Sequence, residues 1–147
     1  METLLSEISI NYKRNIKASE LPKIISSKDA IKHFREVWSD KMEYIEETYM
    51  LMLNRANRAL GFSKISIGGT TGTVVDTKVI FQTALKANAS SIIICHNHPS
   101  GNLKPSEQDI KLTKNLREAG KIMDISMSDH LIITDEGYYS FADEGMI

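Results

Sequence analysis

The stretch IIICHNHPSGNLKPSEQD, residues 92–109, decides how this chain is read. It continues a short β-branched run, Ser91–Cys95, of the kind that fills a buried central strand. Pro99, Ser100, Gly101 and Pro105 then break the pattern into a loop. From Glu107 to Ala119 the apolar residues Ile110, Leu112, Leu116 and Ala119 recur at helical spacing, with Gly120 expected as the residue that ends the helix. A strand, a loop and a helix in that order fit a chain in which strands and helices interleave, the pattern of an α/β domain. Two of the chain's four histidines, His96 and His98, stand where the strand gives way to the loop.

Working outward, the flanking sequence supplies the rest of such a domain. Upstream, Thr77 to Asn88 has Val79, Ile80, Thr83, Ala84 and Ala87 at helical spacing. Before it come two strand-like runs, Thr48–Leu53 and Ala59–Ile67, joined by the turn residues Asn54–Asn57. Gly68, Gly69, Thr70, Thr71 and Gly72 make a loop, but no Gly-Lys-Ser/Thr follows that would cradle a phosphate. Ser26 and Asp29 have the spacing of a capping box for a helix running to about Lys41, with Ala30, Phe34, Val37 and Trp38 on one side. Residues 1–25 read as an N-terminal arm, with one short strand around Ile8–Tyr12, and residues 26–147 as one domain. Downstream, His130–Thr134 and Tyr138–Phe141 form a hairpin across Asp135, Glu136 and Gly137. The predicted fold class is α/β, a sandwich with a mixed β-sheet flanked by helices.

The bulk numbers fit. With 147 residues, 41% of them hydrophobic and 25% charged, the chain is long enough to bury one core. No apolar run reaches the roughly 18 residues of a membrane span. The polar N-terminal segment lacks the pattern of a secretory signal, so a cytoplasmic location is expected. The single cysteine, Cys95, cannot close an intramolecular disulfide or build a cysteine-rich zinc cage; it reads as a small buried hydrophobe. A formal charge of −1 gives no basic excess, so strong non-specific DNA binding is not expected.

The two histidines carry the chemistry. Residues two apart on a strand face the same way, about 6.5–7 Å apart, so two imidazoles can converge on one ion at Zn–N distances of about 2.0–2.1 Å. Asp109, one turn into the next helix, can supply a third ligand if the loop folds back. Two nitrogens and one oxygen leave a tetrahedral ion one open position, as catalytic zinc sites do. Ser106 sits at the helix N-terminus, where negative charge is favoured, and its hydroxyl can serve a developing oxyanion. A general base must come from another element. Glu46 and Glu47, just before the Thr48–Leu53 run, are the candidates.

His96, His98, Ser106 and Asp109 together reproduce the H-x-H-x7-S-x-x-D pattern of JAMM/MPN-type zinc metalloproteases. The longer string HNHPSGNLKPSEQD (96–109) resembles the bacterial RadC family, whose members share that domain. EETYMLMLNRANRALG (46–61), ALKANASSIIICHNHPSG (84–101), LREAGKIMDI (116–125) and DHLIITDEGYYSFADEG (129–145) also follow the family's text. The resemblance, covering about Ser26 to Ile147, implies a JAMM/MPN, cytidine-deaminase-like sandwich. It also implies Zn2+ held by His96, His98 and Asp109, Ser106 beside the oxyanion, and Glu46 as general acid and base, with Glu47 ranked second. The expected function is a zinc-dependent hydrolase, a metallopeptidase or isopeptidase acting on a peptide or protein substrate. RadC-like proteins typically begin with a helix-hairpin-helix region associated with DNA, and the sequence before Ser26 is too short to hold one. This weakens any DNA-repair role inherited from the family name.

Simpler readings compete at each position. Ser106 and Asp109 also suit a capping box without any metal. Asn97, out of phase with the histidines, is expected to point to the other face and shape the loop with Pro99, Ser100 and Gly101. His130 reads as a satisfied, partly buried histidine and His33 as a surface residue. The function of another class is a non-catalytic, zinc-stabilised interaction module linked to DNA repair or recombination. A zinc nucleobase deaminase is excluded, because it needs H-x-E and P-C-x-x-C. The last strands are expected to be able to pair across a homodimer.

Overall fold

In the computed structural model, residues 3–69 and 74–147 are described. Thr70, Thr71 and Gly72 of the expected glycine-rich loop lie outside the described residues. A 3-10 turn, Ala18–Glu20, precedes helix α1 (Ser27–Val37), strands β1 (Glu47–Leu53) and β2 (Ala59–Ile67), helix α2 (Thr77–Lys86) and strand β3 (Ser91–Asn97). Helix α3 (Glu107–Ile122) and strands β4 (Ser126–Ile133) and β5 (Tyr138–Ser140) complete the order. The strands form one sheet in the order β2-β1-β3-β4-β5. β3 and β4 are parallel, joined by the α3 crossover, while the other neighbours are antiparallel. The mixed α/β sandwich expected from the sequence is present.

Every residue of β1 and β3 is buried, because helices cover both faces of the sheet. Tyr49, Leu51, Leu53, Ile93, Cys95, Leu131 and Ile133 share one core with Ala30, Ile31 and Phe34 of α1. Met50, Met52, Ile92 and Ile94 share the other with Ile80, Phe81 and Ala84 of α2 and Leu116 of α3. Cys95 is a free, fully buried thiol, as expected of a small core residue. Edge strand β2 is only partly covered, and Ala59 is its one buried residue. Among the described residues no helix is long and apolar enough to cross a membrane.

Several expected boundaries move, each for a physical reason. Ile8–Tyr12 forms no strand: the segment finds no ladder partner, and Ile8 and Ile10 are exposed. Further on, Leu21 and Ile24 are buried, and the Ile24 amide donates to the Asn57 carbonyl at 2.8 Å. α1 stops at Val37 rather than Lys41, because Trp38 turns to extended backbone and lays its ring 4.3 Å from that of Tyr49. The Ser26 hydroxyl caps the helix as expected, but the Asp29 carboxylate reaches the Ile25 amide at 3.0 Å instead of closing the box. α2 ends at Lys86, with Asn88 in the left-handed region at φ 54°. β3 runs on to Asn97, β4 begins earlier at Ser126, and β5 stops at Ser140.

Gly120 does not end α3. The helix continues to Ile122 and turns out through Asp124, at φ 54°. Glycine is needed at 120 because a Cβ there would fall inside contact distance of the Ile125 carbonyl oxygen. The Ile125 amide bonds the Gly120 carbonyl at 2.8 Å, so the chain returns to β4 directly over this residue. Gly120→Ala therefore sets a helix-propensity gain of about 1 kcal/mol against a backbone clash. The clash should win, lowering stability by about 1–3 kcal/mol in denaturant unfolding. An unchanged or raised stability would contradict the close approach.

Candidate metal centre

The alternation of β3 aims the site. Ile92, Ile94 and His96 face α2 and α3, whereas Ile93, Cys95 and Asn97 face α1. His96 lies within the strand, opposite Thr48 of β1 and level with Ile132 of β4. His98 follows past the strand end, its amide donating to the Ile133 carbonyl at 3.2 Å. Its Nδ1 lies 2.6 Å from the Asn102 carbonyl oxygen, which can only accept, so Nδ1 carries the hydrogen. Its Nε2 is then turned towards His96 Nε2, 3.0 Å away.

The third member arrives on α3. Ser106 and Asp109 form a complete capping box: the Ser106 hydroxyl accepts from the Asp109 amide at 3.1 Å, and the Asp109 carboxylate accepts from the Ser106 amide at 2.8 Å. The same carboxylate meets His96 Nε2 at 3.1 Å and His98 Nε2 at 3.2 Å. The capping role and the clustering role are thus one geometry, since the cap locks the carboxylate that faces the imidazoles. Burial opposes charge on Asp109, but the hydrogen bonds to His96 and His98 outweigh it and hold the carboxyl well below its ordinary range. Burial likewise opposes charge on His98, and Asp109 with the Asn102 carbonyl raises its pKa nonetheless.

Glu46 stands on the open side of the cluster. One of its carboxylate oxygens and one nitrogen from each of His96 and His98 lie within 4.8 Å of one another. Burial in the cleft raises its pKa above the ordinary carboxylate value, against the pull of both histidines. Glu47 is elsewhere. Alternation turns it to the α1 face, where it is fully buried, paired with Lys64 Nζ at 2.7 Å and bonded by the Ser39 hydroxyl. Of the two neighbouring glutamates, only Glu46 faces the histidines.

A cavity of about 680 Å³ opens over the cluster, lined by Glu46, His96, His98, Ser106 and Asp109 with apolar Val75, Pro99 and Leu112. Thr48 also lines it, with a fully buried hydroxyl that has no hydrogen-bond partner among the described residues. Ser106 is exposed, and among the described residues its hydroxyl hydrogen is given to no protein acceptor.

Asn97 does more than shape the loop. It points to the face opposite the histidines, as expected, and its Oδ1 accepts from the Glu47 amide at 2.7 Å. Its Nδ2 donates to the carbonyls of Met42 and Ile45 at 2.7 and 2.8 Å. One buried amide thereby pins the segment that delivers Glu46. His130 is fully buried and satisfied, with Nε2 2.8 Å from His96 Nδ1 and Nδ1 2.6 Å from the Thr113 hydroxyl. Burial first, and then His96, push its pKa well below the ordinary value. Asn97, Thr113 and His130 escaped the sequence reading as site residues. Strand parity and the i, i+4 spacing of Asp109 and Thr113 were the only signals available for them.

Fold and site together define an α/β domain with a histidine-rich candidate metal centre at a strand end. Residues 24–146 match the family described as "RadC-like JAB domain", and the chain belongs to that family. It is 43% identical to a UPF0758 protein of Flavobacterium johnsoniae over 127 residues, which cover 86% of this chain and 55% of that one. It is 37% identical to a UPF0758 protein of Porphyromonas gingivalis over 143 residues, 95% of this chain and 62% of the relative. A UPF0758 protein of Thermotoga maritima is 32% identical over 145 residues, 97% of this chain and 64% of its own length. The chain thus spans somewhat more than half the length of these relatives.

The Asn97 clamp is open to test. Asn97→Ala leaves a buried amide and two carbonyls unpaired and should cost about 1–3 kcal/mol of stability in chemical denaturation. A loss below about 0.5 kcal/mol, the usual range of an inconsequential substitution, would show that water replaces the side chain without penalty.

Proposed function

We propose that this domain is a zinc-dependent hydrolase that cleaves an amide or isopeptide bond in a peptide or protein. The observation that carries the reading is the contact between His96, His98 and Asp109, with Glu46 facing them across the cavity. The donor set fits zinc: imidazole nitrogens and a carboxylate oxygen are borderline ligands suited to it, and they number three, leaving room for a reactant. His98 presents Nε2 because its other nitrogen is committed to Asn102. Electron-rich atoms 3.0–3.2 Å apart repel unless a cation or a proton lies between them. His96, His98 and Asp109 would hold the ion.

Zinc there supplies Lewis acidity, which polarises a carbonyl and acidifies water near neutral pH. The remaining steps belong to the chain. Glu46, half-buried and with a raised pKa, takes the proton of the attacking water and returns it to the leaving amine. Ser106, whose hydroxyl hydrogen is uncommitted, donates to the oxyanion that forms on the carbonyl. Apolar Val75, Pro99 and Leu112 line the cavity, where such donors act more strongly than in bulk water.

Glu46→Gln preserves shape and removes the base. On a panel of peptide and isopeptide substrates, turnover should fall by about 10²–10⁴, with folding and metal content unchanged. Retained turnover in this variant, with Glu47 intact, would defeat the assignment of Glu46. Ser106→Gly, which keeps most of the cap stability that Ser106→Ala would lose, should slow turnover by about 10²–10³. An unchanged rate would reduce Ser106 to a helix cap.

A further inference from the structure

We propose that His130 is a positioning residue: anchored on Thr113, it accepts from His96 Nδ1 and so leaves Nε2 as the nitrogen with which His96 faces the cluster. The inference rests on the metal-centre reading of that cluster and adds the residue that prepares one of its ligands.

The hydrogen count runs along a chain of three contacts. The Thr113 hydroxyl has one hydrogen, and a carbonyl can only accept. Thr113 therefore gives its hydrogen to the Asp109 carbonyl at 2.9 Å, the residue one turn earlier on α3. Towards His130 the hydroxyl oxygen can then only accept, so His130 Nδ1, 2.6 Å away, carries an N–H. His130 is fully buried on β4, and its ring meets Thr113, His96 and the stacked face of Phe141, with ring centroids 4.7 Å apart. None of these partners is a carboxylate that would hold a second proton, so the ring is neutral and its Nε2 accepts. His96 Nδ1, 2.8 Å from that nitrogen, is then the donor, and Nε2, 3.1 Å from Asp109, is the nitrogen left to face the cluster.

His98 arrives at the same state by a shorter route, its Nδ1 hydrogen spent on the Asn102 carbonyl. Both imidazoles are thus oriented from behind, one by the loop backbone and one by a second histidine. Partners of this kind fix ring orientation and tautomer at metal sites. The rival arrangement is equally definite. Were Thr113 to turn its hydrogen to His130 Nδ1, every hydrogen in the chain would reverse, and His96 would carry its own on Nε2, facing Asp109. In that state His96 keeps its hydrogen on the nitrogen that must ligate, and His130 offers Nδ1 no acceptor.

Nitrogen-15 imidazole shifts of the metal-free full chain read the two states apart without any activity. The expected result is His96 and His130 both hydrogenated on Nδ1, whatever proton His96 Nε2 shares with Asp109 in the absence of metal. A bare His96 Nδ1 would overturn the proposal. Zinc affinity, measured by chelator competition on folded protein, gives the second readout. His130→Leu should lose about 10- to 100-fold in affinity. His130→Gln, whose Oε1 can still accept from His96 Nδ1, should recover most of it. Thr113→Val, nearly the same shape and thus the safer variant for folding, should shift His96 towards the Nε2–H tautomer and weaken zinc binding in the same direction. Equal affinities in native protein and the Leu and Val variants would refute the role. If the native chain bound no zinc, the metal-centre reading would fail, while the shifts of the metal-free protein would still decide the tautomer.

Discussion

Two imidazoles and a carboxylate in mutual contact, 3.0–3.2 Å apart, are the constraint around which this domain is organised. Such an arrangement needs a proton or a cation between its electron-rich atoms, which would otherwise repel in a partly buried place. It persists because each group is held from behind. His96 sits inside a fully buried strand and leans on His130. His98 is tied to the Asn102 carbonyl, and Asp109 is locked by the cap it forms with Ser106. Rigid support of a crowded set of ligands is what a protein needs if an ion is to bind with little reorganisation.

The sheet makes this economical. β3 pairs with β1 on one side and β4 on the other, so the partners of His96 come from both neighbours. β1 delivers Thr48 opposite His96 and Glu46 just before it, while β4 delivers His130. The α3 face that packs on the sheet carries Asp109, Thr113, Leu116 and Gly120 at helical spacing, two of them serving the site and two the packing. The tight return at Gly120 fixes the far end of the same helix. The packing that buries α3 thus also sets the height of Asp109.

Much of this was legible beforehand because periodicity and spacing carried it. The bounds of β2 match the run Ala59–Ile67, and the starts of all three helices fall where caps and spacing place them. Strand parity and one helical turn allowed His96, His98 and Asp109 to meet, and the resemblance to the H-x-H-x7-S-x-x-D pattern tied them to Ser106. What failed to show depended on contacts between distant segments. Nothing local says that Trp38 leaves its helix to pack on Tyr49, or that Gly120 stays helical because Ile125 passes over it. The short strand expected around Ile8–Tyr12 does not form without a neighbour to pair with. Glu46 and Glu47 could not be separated by residue type; register separated them, sending Glu47 to Lys64 and Glu46 to the histidines. His130 was read as a satisfied histidine, which it is, but its partner His96 lies 34 residues away.

The central claim is that the His96–His98–Asp109 cluster is a zinc site. Elemental analysis of untagged full chain, purified without added metal and compared with His96→Ala, tests it most directly. The expected result is about one zinc per chain, lost in the variant. No zinc in the unaltered protein, even after reconstitution, would contradict the claim.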